Sequence, residues 1–190
     1  MLRRFLRVLG GLMILAGLGC IVLFFIGPPG GTAGSIPSPV SDHAPAQDSG
    51  GGPEDKTLYL TIPKLGLKDQ KVYDSYSEEN LDESAIHLPD SGFPWQPGAN
   101  TYIAGHRMGY FGTDSFLVFF RLNELSPGDE ITVKDSLGRV YGYRVTQQMV
   151  VGPEDVQVMD PVGGASIITL QTYTLPDYSD RLIVRGEMVS

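Results

Sequence analysis

Hydrophobic and polar positions divide the chain into three parts. Residues 8–26 (VLGGLMILAGLGCIVLFFI) are apolar throughout, and a helix of that length would rise ~28 Å, which matches the hydrocarbon core of a bilayer. Residues 27–56 are rich in glycine and proline, and this composition predicts an unfolded linker. Residues 57–190 contain short apolar runs separated by turn residues. This pattern predicts one folded domain made mainly of strands.

The predicted strands of residues 57–190 are short and rich in β-branched residues. Residues 135–138 (DSLG) predict a hairpin turn, because Asp and Gly favour tight turns. Only residues 78–85 and 114–122 look helical. The predicted strands are residues 57–62, 99–104, 130–134, 139–151, 166–170 and 181–188. So many short strands with so few helices indicate a closed barrel or a sandwich.

The distribution of basic residues predicts the orientation of the apolar segment. Arg3, Arg4 and Arg7 precede it, and the next basic residue is Lys56. Because basic residues collect on the cytoplasmic side of a membrane, residues 1–7 are expected in the cytoplasm and the domain outside the cell membrane. A cleaved signal peptide would also begin with basic residues. The long apolar segment and the lack of an A-x-A site favour an uncleaved, single-pass anchor.

Composition excludes several kinds of chemistry. The net charge is −8, which argues against a surface that binds nucleic acid. The only cysteine, Cys20, lies in the apolar segment, so the domain has no disulfide, no cysteine zinc site and no cysteine nucleophile. His43, His87 and His106 are widely spaced, and neither a metal site nor a cofactor is predicted. His87 is expected to be an exposed loop residue.

Three segments of the predicted domain carry motifs. Residues 100–107 are NTYIAGHR, residues 169–173 are TLQTY, and residues 180–184 are DRLIV. They resemble, in the same order, the N-x-x-[IL]-A-G-H-R segment, the T-L-x-T-C signature and the arginine-bearing strand of the sortase family. Residues 62–66 (IPKLG) and 122–130 (LNELSPGDE) are similar to further sortase landmarks, the second in a class E-like form. The resemblance covers nearly all of residues 57–190.

The resemblance implies an eight-stranded β-barrel and a transpeptidase. In the family, a cysteine attacks a sorting signal of the LPXTG or LAXTG kind on a surface protein. An amine of peptidoglycan or of a pilus then takes up the acyl group. Carried over to this chain, the resemblance makes His106 the general acid, Arg181 the group that stabilises the oxyanion, and Thr172 a neighbour of the substrate groove. Arg185, four positions along the same strand face, is a weaker candidate for substrate binding.

Tyr173 occupies the position of the family's nucleophilic cysteine. A phenol has an ordinary pKa of ~10, whereas a thiol has one of ~8.5, so far less of a phenol is ionised near neutral pH. Its ring is also larger than a thiol and would fill space that the family leaves for the scissile bond. The hydroxyls of Thr172 and Thr174 are expected to point away from the site, because side chains alternate along a strand. Catalysis by the usual route is therefore not expected.

Three functional interpretations follow from this departure. The leading one is a membrane-anchored, class E-like sortase-family protein that has lost its nucleophile but still binds sorting signals. The first alternative is an active sortase lineage, with Tyr173 a Cys-to-Tyr variant or an error in the recorded sequence, since the two codons differ by one base. The second is a non-catalytic scaffold associated with the cell wall. In all three, Tyr173, His106 and Arg181 are expected to converge in a groove at one end of the barrel.

Overall fold

The computed structural model describes residues 52–189 of the chain. The predicted cytoplasmic segment (1–7), the predicted anchor (8–26) and most of the predicted linker (27–56) lie outside these residues. Within the described part, no helix has the length and the apolar character needed to cross a bilayer.

The described residues form eight strands and four short helices, which are joined by turns and loops. The strands are β1 (Leu58–Ile62), β2 (Leu67–Asp74), β3 (Ala85–His87), β4 (Asn100–Ala104), β5 (Glu130–Asp135), β6 (Val140–Val151), β7 (Ile167–Tyr173) and β8 (Arg181–Met188). The helices are α1 (Glu78–Glu83) and three 3-10 helices at Pro63–Leu65, Leu122–Glu124 and Val156–Met159.

The strands form a closed barrel in the order β1-β2-β3-β4-β7-β8-β6-β5, and β5 pairs with β1 to close it. Two pairs, β2 with β3 and β4 with β7, are parallel, and the others are antiparallel. The predicted eight-stranded barrel is therefore confirmed, and the sandwich alternative is excluded.

Alternating side chains fill the barrel. In β1, Leu58, Leu60 and Ile62 are fully buried, while Tyr59 between them is only partly buried. Each buried leucine or isoleucine of this kind contributes about 1.5–3 kcal/mol relative to an exposed one. The outward positions of the strands remain available for other roles, and on β7 and β8 they carry the candidate site.

Two strands and one predicted helix differ from the sequence-based expectation. The strand β2 was not predicted because only Val72 of its eight residues is buried, so its sequence shows no apolar alternation. The short strand β3 begins at Ala85, where the predicted helix was to end. The predicted helix at 114–122 was wrong: these residues form turns that lead into the 3-10 helix at Leu122–Glu124. Leu117 has a φ of 59°, which an α-helix does not allow.

His87 is buried in β3, so the expected exposed loop position was wrong. Its Nδ1 lies 2.8 Å from Oδ1 of Asp74, and its Nε2 lies 3.0 Å from Oγ of Ser91. These contacts supply both ring nitrogens with partners, as a buried polar group requires. His87 thus joins β2, β3 and the loop that follows.

The packed part of the chain begins before Thr57. The Ser136 hydroxyl donates a hydrogen bond to the Asp55 carbonyl over 2.6 Å. The Lys56 ammonium lies 5.1 Å from the ring centroid of Phe93 and 5.2 Å from that of Trp95. The last residues of the predicted linker, from 52 to 56, therefore belong to the folded domain.

Candidate active site

The parallel pairing of β4 with β7 brings two of the motifs to one end of the barrel. Ala104 pairs with Gln171, and the amide of Gly105 donates to the Gln171 carbonyl over 3.0 Å. The pairing with β7 therefore continues one residue beyond β4, to Gly105. His106 is the next residue. In the antiparallel pair of β7 and β8, Tyr173 lies opposite Arg181. The end of β4, the end of β7 and the start of β8 thus meet at the same end.

Arg181 and Tyr173 are in direct contact. The guanidinium carbon lies 4.2 Å from the centroid of the tyrosine ring, a geometry typical of a cation–π interaction. Arg181 makes one long hydrogen bond, 3.4 Å from Nη1 to the Asp180 carbonyl. No carboxylate among the described residues forms an ion pair with it. The edge of Tyr178 also approaches Tyr173, with the centroids 6.1 Å apart.

His106 is held from one side by a carboxylate. Its Nε2 lies 2.9 Å from Oδ1 of Asp82 in α1, and its ring meets the ring of Tyr110 edge-on. The side chain is 21% exposed, so it remains accessible to a ligand. Asp82 engages Nε2, and the other ring nitrogen, Nδ1, makes no hydrogen bond within the described part of the chain.

Asp82 was not singled out from the sequence. It lies 24 positions before His106, in a helix whose neighbouring residues are mostly acidic. No spacing rule distinguishes it from Glu78, Glu79 or Glu83. Only the position of α1 beside the end of β4 reveals the pair.

Tyr102 forms part of the outer face between these residues. Its hydroxyl donates a hydrogen bond to Oε1 of Gln171 over 2.5 Å. Burial raises the pKa of Tyr102 to about 12, although the positive charges of Arg181 and Arg185 act in the opposite direction. Both arginines therefore lie close to Tyr102. Along β8 they alternate with the core residues Leu182 and Val184, as side chains of one strand must.

Thr172 is not brought to this face. It is fully buried, pairs with Leu182 of the core, and lies between the outward residues Gln171 and Tyr173. Its hydroxyl finds no hydrogen-bond partner within the described part of the chain. Strand alternation directs this side chain into the barrel, as expected from the sequence, and the predicted place of Thr172 as a neighbour of the substrate groove stays a prediction.

Arg185 holds the 3-10 helix at Val156–Met159 against the outer face of the barrel. Its Nη2 donates to the Val158 carbonyl over 3.1 Å, and its Nε lies 3.4 Å from Oγ1 of Thr169. The buried Asn100 completes this network: its Nδ2 donates to the carbonyls of Val158 and Asp160 over 3.0 and 3.1 Å. Together these side chains fasten the 3-10 helix at Val156–Met159 over the barrel. At least two of the Arg185 nitrogens are thus engaged within the protein.

An apolar cluster lies beneath that helix. Val158 packs there with Tyr102 of β4 and Ile183 of β8, and Met149 and Val151 of β6 border it. The helix at Val156–Met159 therefore covers part of the outer face of the barrel, whereas Arg181 and Tyr173 are partly exposed.

Comparison with known proteins gives a consistent result. The family model described as the sortase domain matches residues 60–189. A sortase A of Streptococcus agalactiae is 34% identical over 92 residues, which are 48% of this chain and 37% of the relative. A sortase A of Bacillus anthracis is 28% identical over 130 residues, 68% of this chain and 58% of the relative. The chain thus matches less than two thirds of the length of either relative.

Solved structures agree with this match. The crystal structure of sortase C1 from Streptococcus agalactiae has a TM-score of 0.64 and 32% sequence identity, and the similarity covers 72% of this chain and 69% of that one. Sortase A from Corynebacterium diphtheriae has a TM-score of 0.63 and 27% identity, over 71% of this chain and 61% of that one.

Proposed function

This chain belongs to the sortase family, and we propose that it is a membrane-anchored, class E-like member that binds sorting-signal peptides but does not cleave them. The family as a whole consists of cell-wall transpeptidases. The proposed partners are therefore surface proteins that end in LPXTG- or LAXTG-type signals. An amine of peptidoglycan or of a pilus would be the acceptor only in an active form.

The contact between Arg181 and Tyr173 carries this proposal. A nucleophile at position 173 must reach a peptide carbonyl, and the arginine must face the oxygen of that carbonyl as negative charge develops. Here the tyrosine ring lies against the guanidinium, with the two centres 4.2 Å apart. The ring therefore occupies space between the arginine and an incoming carbonyl group. Peptide binding is supported by the partly exposed His106 and Arg181 at the same end of the barrel.

The pair of His106 and Asp82 favours a second candidate, an active sortase lineage in which Tyr173 is a Cys-to-Tyr change. The 2.9 Å contact keeps the histidine at the end of β4, and Arg181 is retained opposite position 173. Only the nucleophile is missing from the set of groups that the family uses. The base sequence of codon 173 in independent isolates decides between the two candidates.

Peptide binding and peptide cleavage test the proposal together. The full chain, reconstituted in lipid nanodiscs, is titrated with fluorescent LPXTG and LAXTG peptides and with scrambled peptides of the same composition. We expect saturable binding of the sorting signals alone and no release of fluorophore from quenched versions. If the folded chain binds no sorting signal, the wall-associated scaffold replaces the proposal. Cleavage that disappears in Tyr173→Phe would instead make the phenol a nucleophile.

The extracytoplasmic location rests on Arg3, Arg4 and Arg7 before the apolar segment 8–26. A single cysteine introduced by Leu137→Cys in a Cys20→Ser chain tests it. The side chain of Leu137 is 68% exposed. We expect a membrane-impermeant maleimide to label that cysteine in intact cells. Labelling only after lysis would contradict the proposed orientation.

A further inference from the structure

An exposed apolar surface begins two residues after His106. We call residues 108–120 the aromatic loop. Phe111 at its tip is 90% exposed, and the other five apolar side chains are between 38% and 53% exposed. The six are Met108, Tyr110, Phe111, Phe116, Leu117 and Phe120. Tyr110 also meets the His106 ring, but neither the barrel core nor the candidate site accounts for the exposure of the other five.

Hydrogen bonds within the aromatic loop hold this surface in place. The Leu117 amide donates to the Met108 carbonyl over 2.9 Å, and the Thr113 amide donates to the Tyr110 carbonyl over 3.2 Å. The Thr113 hydroxyl also donates to the Asp82 carbonyl of α1 over 2.9 Å. Gly109 has a φ of 63°, and a Cβ there would lie 2.0 Å from the Ser115 carbonyl oxygen. The two sides of the loop therefore approach closely and present the tip outward.

The base of the loop is fixed in the barrel. Val118 and Phe119 are buried in the main core, next to Leu122. The Phe119 amide donates to the His106 carbonyl over 3.2 Å. The exposed side chains thus sit on a well-packed base. They are exposed because the buried Val118 and Phe119 and the hydrogen bonds of the loop fix the backbone that carries them. The rings of Phe111 and Phe116 also meet edge-on, with centroids 5.4 Å apart.

Exposed apolar side chains gathered on one short segment, two of them in contact, mark an interaction site. Its chemistry fits a bilayer: between Met108 and Phe120 the only charged residue is Asp114. Aromatic and aliphatic side chains partition into the interfacial region of lipid. The internal hydrogen bonds at the tip also reduce the cost of leaving water. If the predicted linker is flexible, its residues 27–51 would have a root-mean-square span of ~25–30 Å from the predicted anchor (8–26).

We infer that the aromatic loop docks into the interfacial region of the bilayer that carries the anchor. This inference rests on the proposed membrane anchoring and is independent of peptide binding. A tethered domain meets the bilayer at high effective concentration, so weak contacts are sufficient for docking. Docking would turn the barrel end that carries His106 and Tyr173 toward the membrane surface.

Fluorescence quenching from within the lipid tests this docking. The full chain with Cys20→Ser and Phe111→Cys is labelled with an environment-sensitive fluorophore and reconstituted in vesicles of phosphatidylcholine and phosphatidylglycerol. The matched control is Leu137→Cys in the same background, which places the label in the turn after β5, at the opposite end of the barrel. We expect a blue shift and severalfold stronger quenching by lipid-bound nitroxide at position 111 than at position 137. Adding Phe116→Ser should weaken that quenching.

Each of the following three results would overturn the inference. Equal access of an aqueous quencher to both labels would place the loop in solvent. A blue shift without nitroxide quenching, lost when protein is diluted in lipid, would identify a second copy of the chain as the partner. Failure of the chain to float with the vesicles would refute the anchor and this inference with it. That failure would still leave sorting-peptide binding to be judged by its own titration.

Discussion

The guanidinium carbon of Arg181 lies 4.2 Å from the centroid of the Tyr173 ring, across the pair of β7 and β8. A contact of this kind is worth about 0.5–2 kcal/mol, depending on how far water is excluded. Because of this contact, the guanidinium of Arg181 faces the ring of Tyr173 and not a bound ligand. The contact therefore has consequences both for chemistry and for ligand access.

Replacing the ring by a thiol should restore chemistry. We expect Tyr173→Cys to hydrolyse quenched LPXTG or LAXTG peptides at least slowly, because a thiol is a better nucleophile than a phenol and Arg181 would be freed. Release of fluorophore by the full chain in nanodiscs measures this. The control is Tyr173→Cys with His106→Ala, which should lose the activity. Silence of the single variant, if it is folded and still binds peptide, would show that more than the nucleophile has been lost.

The two arginines of β8 should behave differently. In the Tyr173→Cys background, Arg181→Gln should lower kcat by about 100-fold or more, since it removes a donor that faces the developing charge. Arg185→Gln is the matched control, and we expect it to raise KM with little effect on kcat, because Arg185 supports the Val158 carbonyl. Steady-state kinetics of both variants decide the assignment. Equal losses of kcat would contradict the separate roles.

Asn100 should stabilise the attachment of the 3-10 helix at Val156–Met159 to the barrel. Asn100→Ala removes the donor to the Val158 and Asp160 carbonyls and the acceptor of the Thr169 hydroxyl bond. Leaving such buried groups without partners costs ~1–3 kcal/mol. We expect a loss of that size in chemical denaturation, together with faster hydrogen exchange at the Asp160 amide. Asn80→Ala, which removes one hydrogen bond to Ser75, is the control and should cost less and leave that amide unchanged.

Alkaline pH should destabilise the folded domain, in part because Tyr102 ionises more readily in the unfolded chain. Burial raises the pKa of Tyr102 to about 12, and an unfolded tyrosine titrates near ~10. The folded state therefore keeps a proton that the unfolded state loses. Its stabilising effect is fully present below pH ~10 and is lost as the pH rises toward 12, at ~1.4 kcal/mol per pH unit.

Free energies of unfolding measured across this interval test the prediction. Tyr102→Phe should show a shallower decline than the wild type, because one of the titrating phenols is gone. The buried Tyr143, whose pKa burial also raises, should account for part of the remaining slope. Tyr110→Phe, which removes an exposed phenol, is the control. An unchanged slope in Tyr102→Phe would contradict the assignment.

Strands with buried alternation could be predicted from the sequence, and β8 was predicted at its observed bounds, Arg181–Met188. The strand β2 could not be predicted in this way. Its backbone pairs with β1 and β3, while most of its side chains stay in contact with water. The same limit applies to His87. Its burial depends on Asp74 and Ser91, and neither partner follows from local composition.

Only those residues of the candidate site that lie in a recognisable motif could be predicted from the sequence. His106 and Arg181 follow from their segments, and the structure brings both to the barrel end of Tyr173. Periodicity could not separate Arg181 from Arg185, since both lie on one face of β8. Their difference lies in the partners: a tyrosine ring for one, the Val158 carbonyl for the other. Asp82 likewise became evident only from the three-dimensional position of α1.

The parallel pairing of β4 with β7 also sets when the site can exist during synthesis. Asn100 pairs with Ile167, and Ala104 pairs with Gln171, so each partner is made long after the first strand has left the ribosome. Contacts between such distant positions form late in folding, because the entropy of closing the intervening chain opposes them. Until β7 and β8 are in place, the barrel has a gap and the end of β4 that leads to His106 has no partner strand on that side. A chain truncated before residue 167 would lack both Tyr173 and Arg181, so ligand binding at this site would report that the last strands have been inserted.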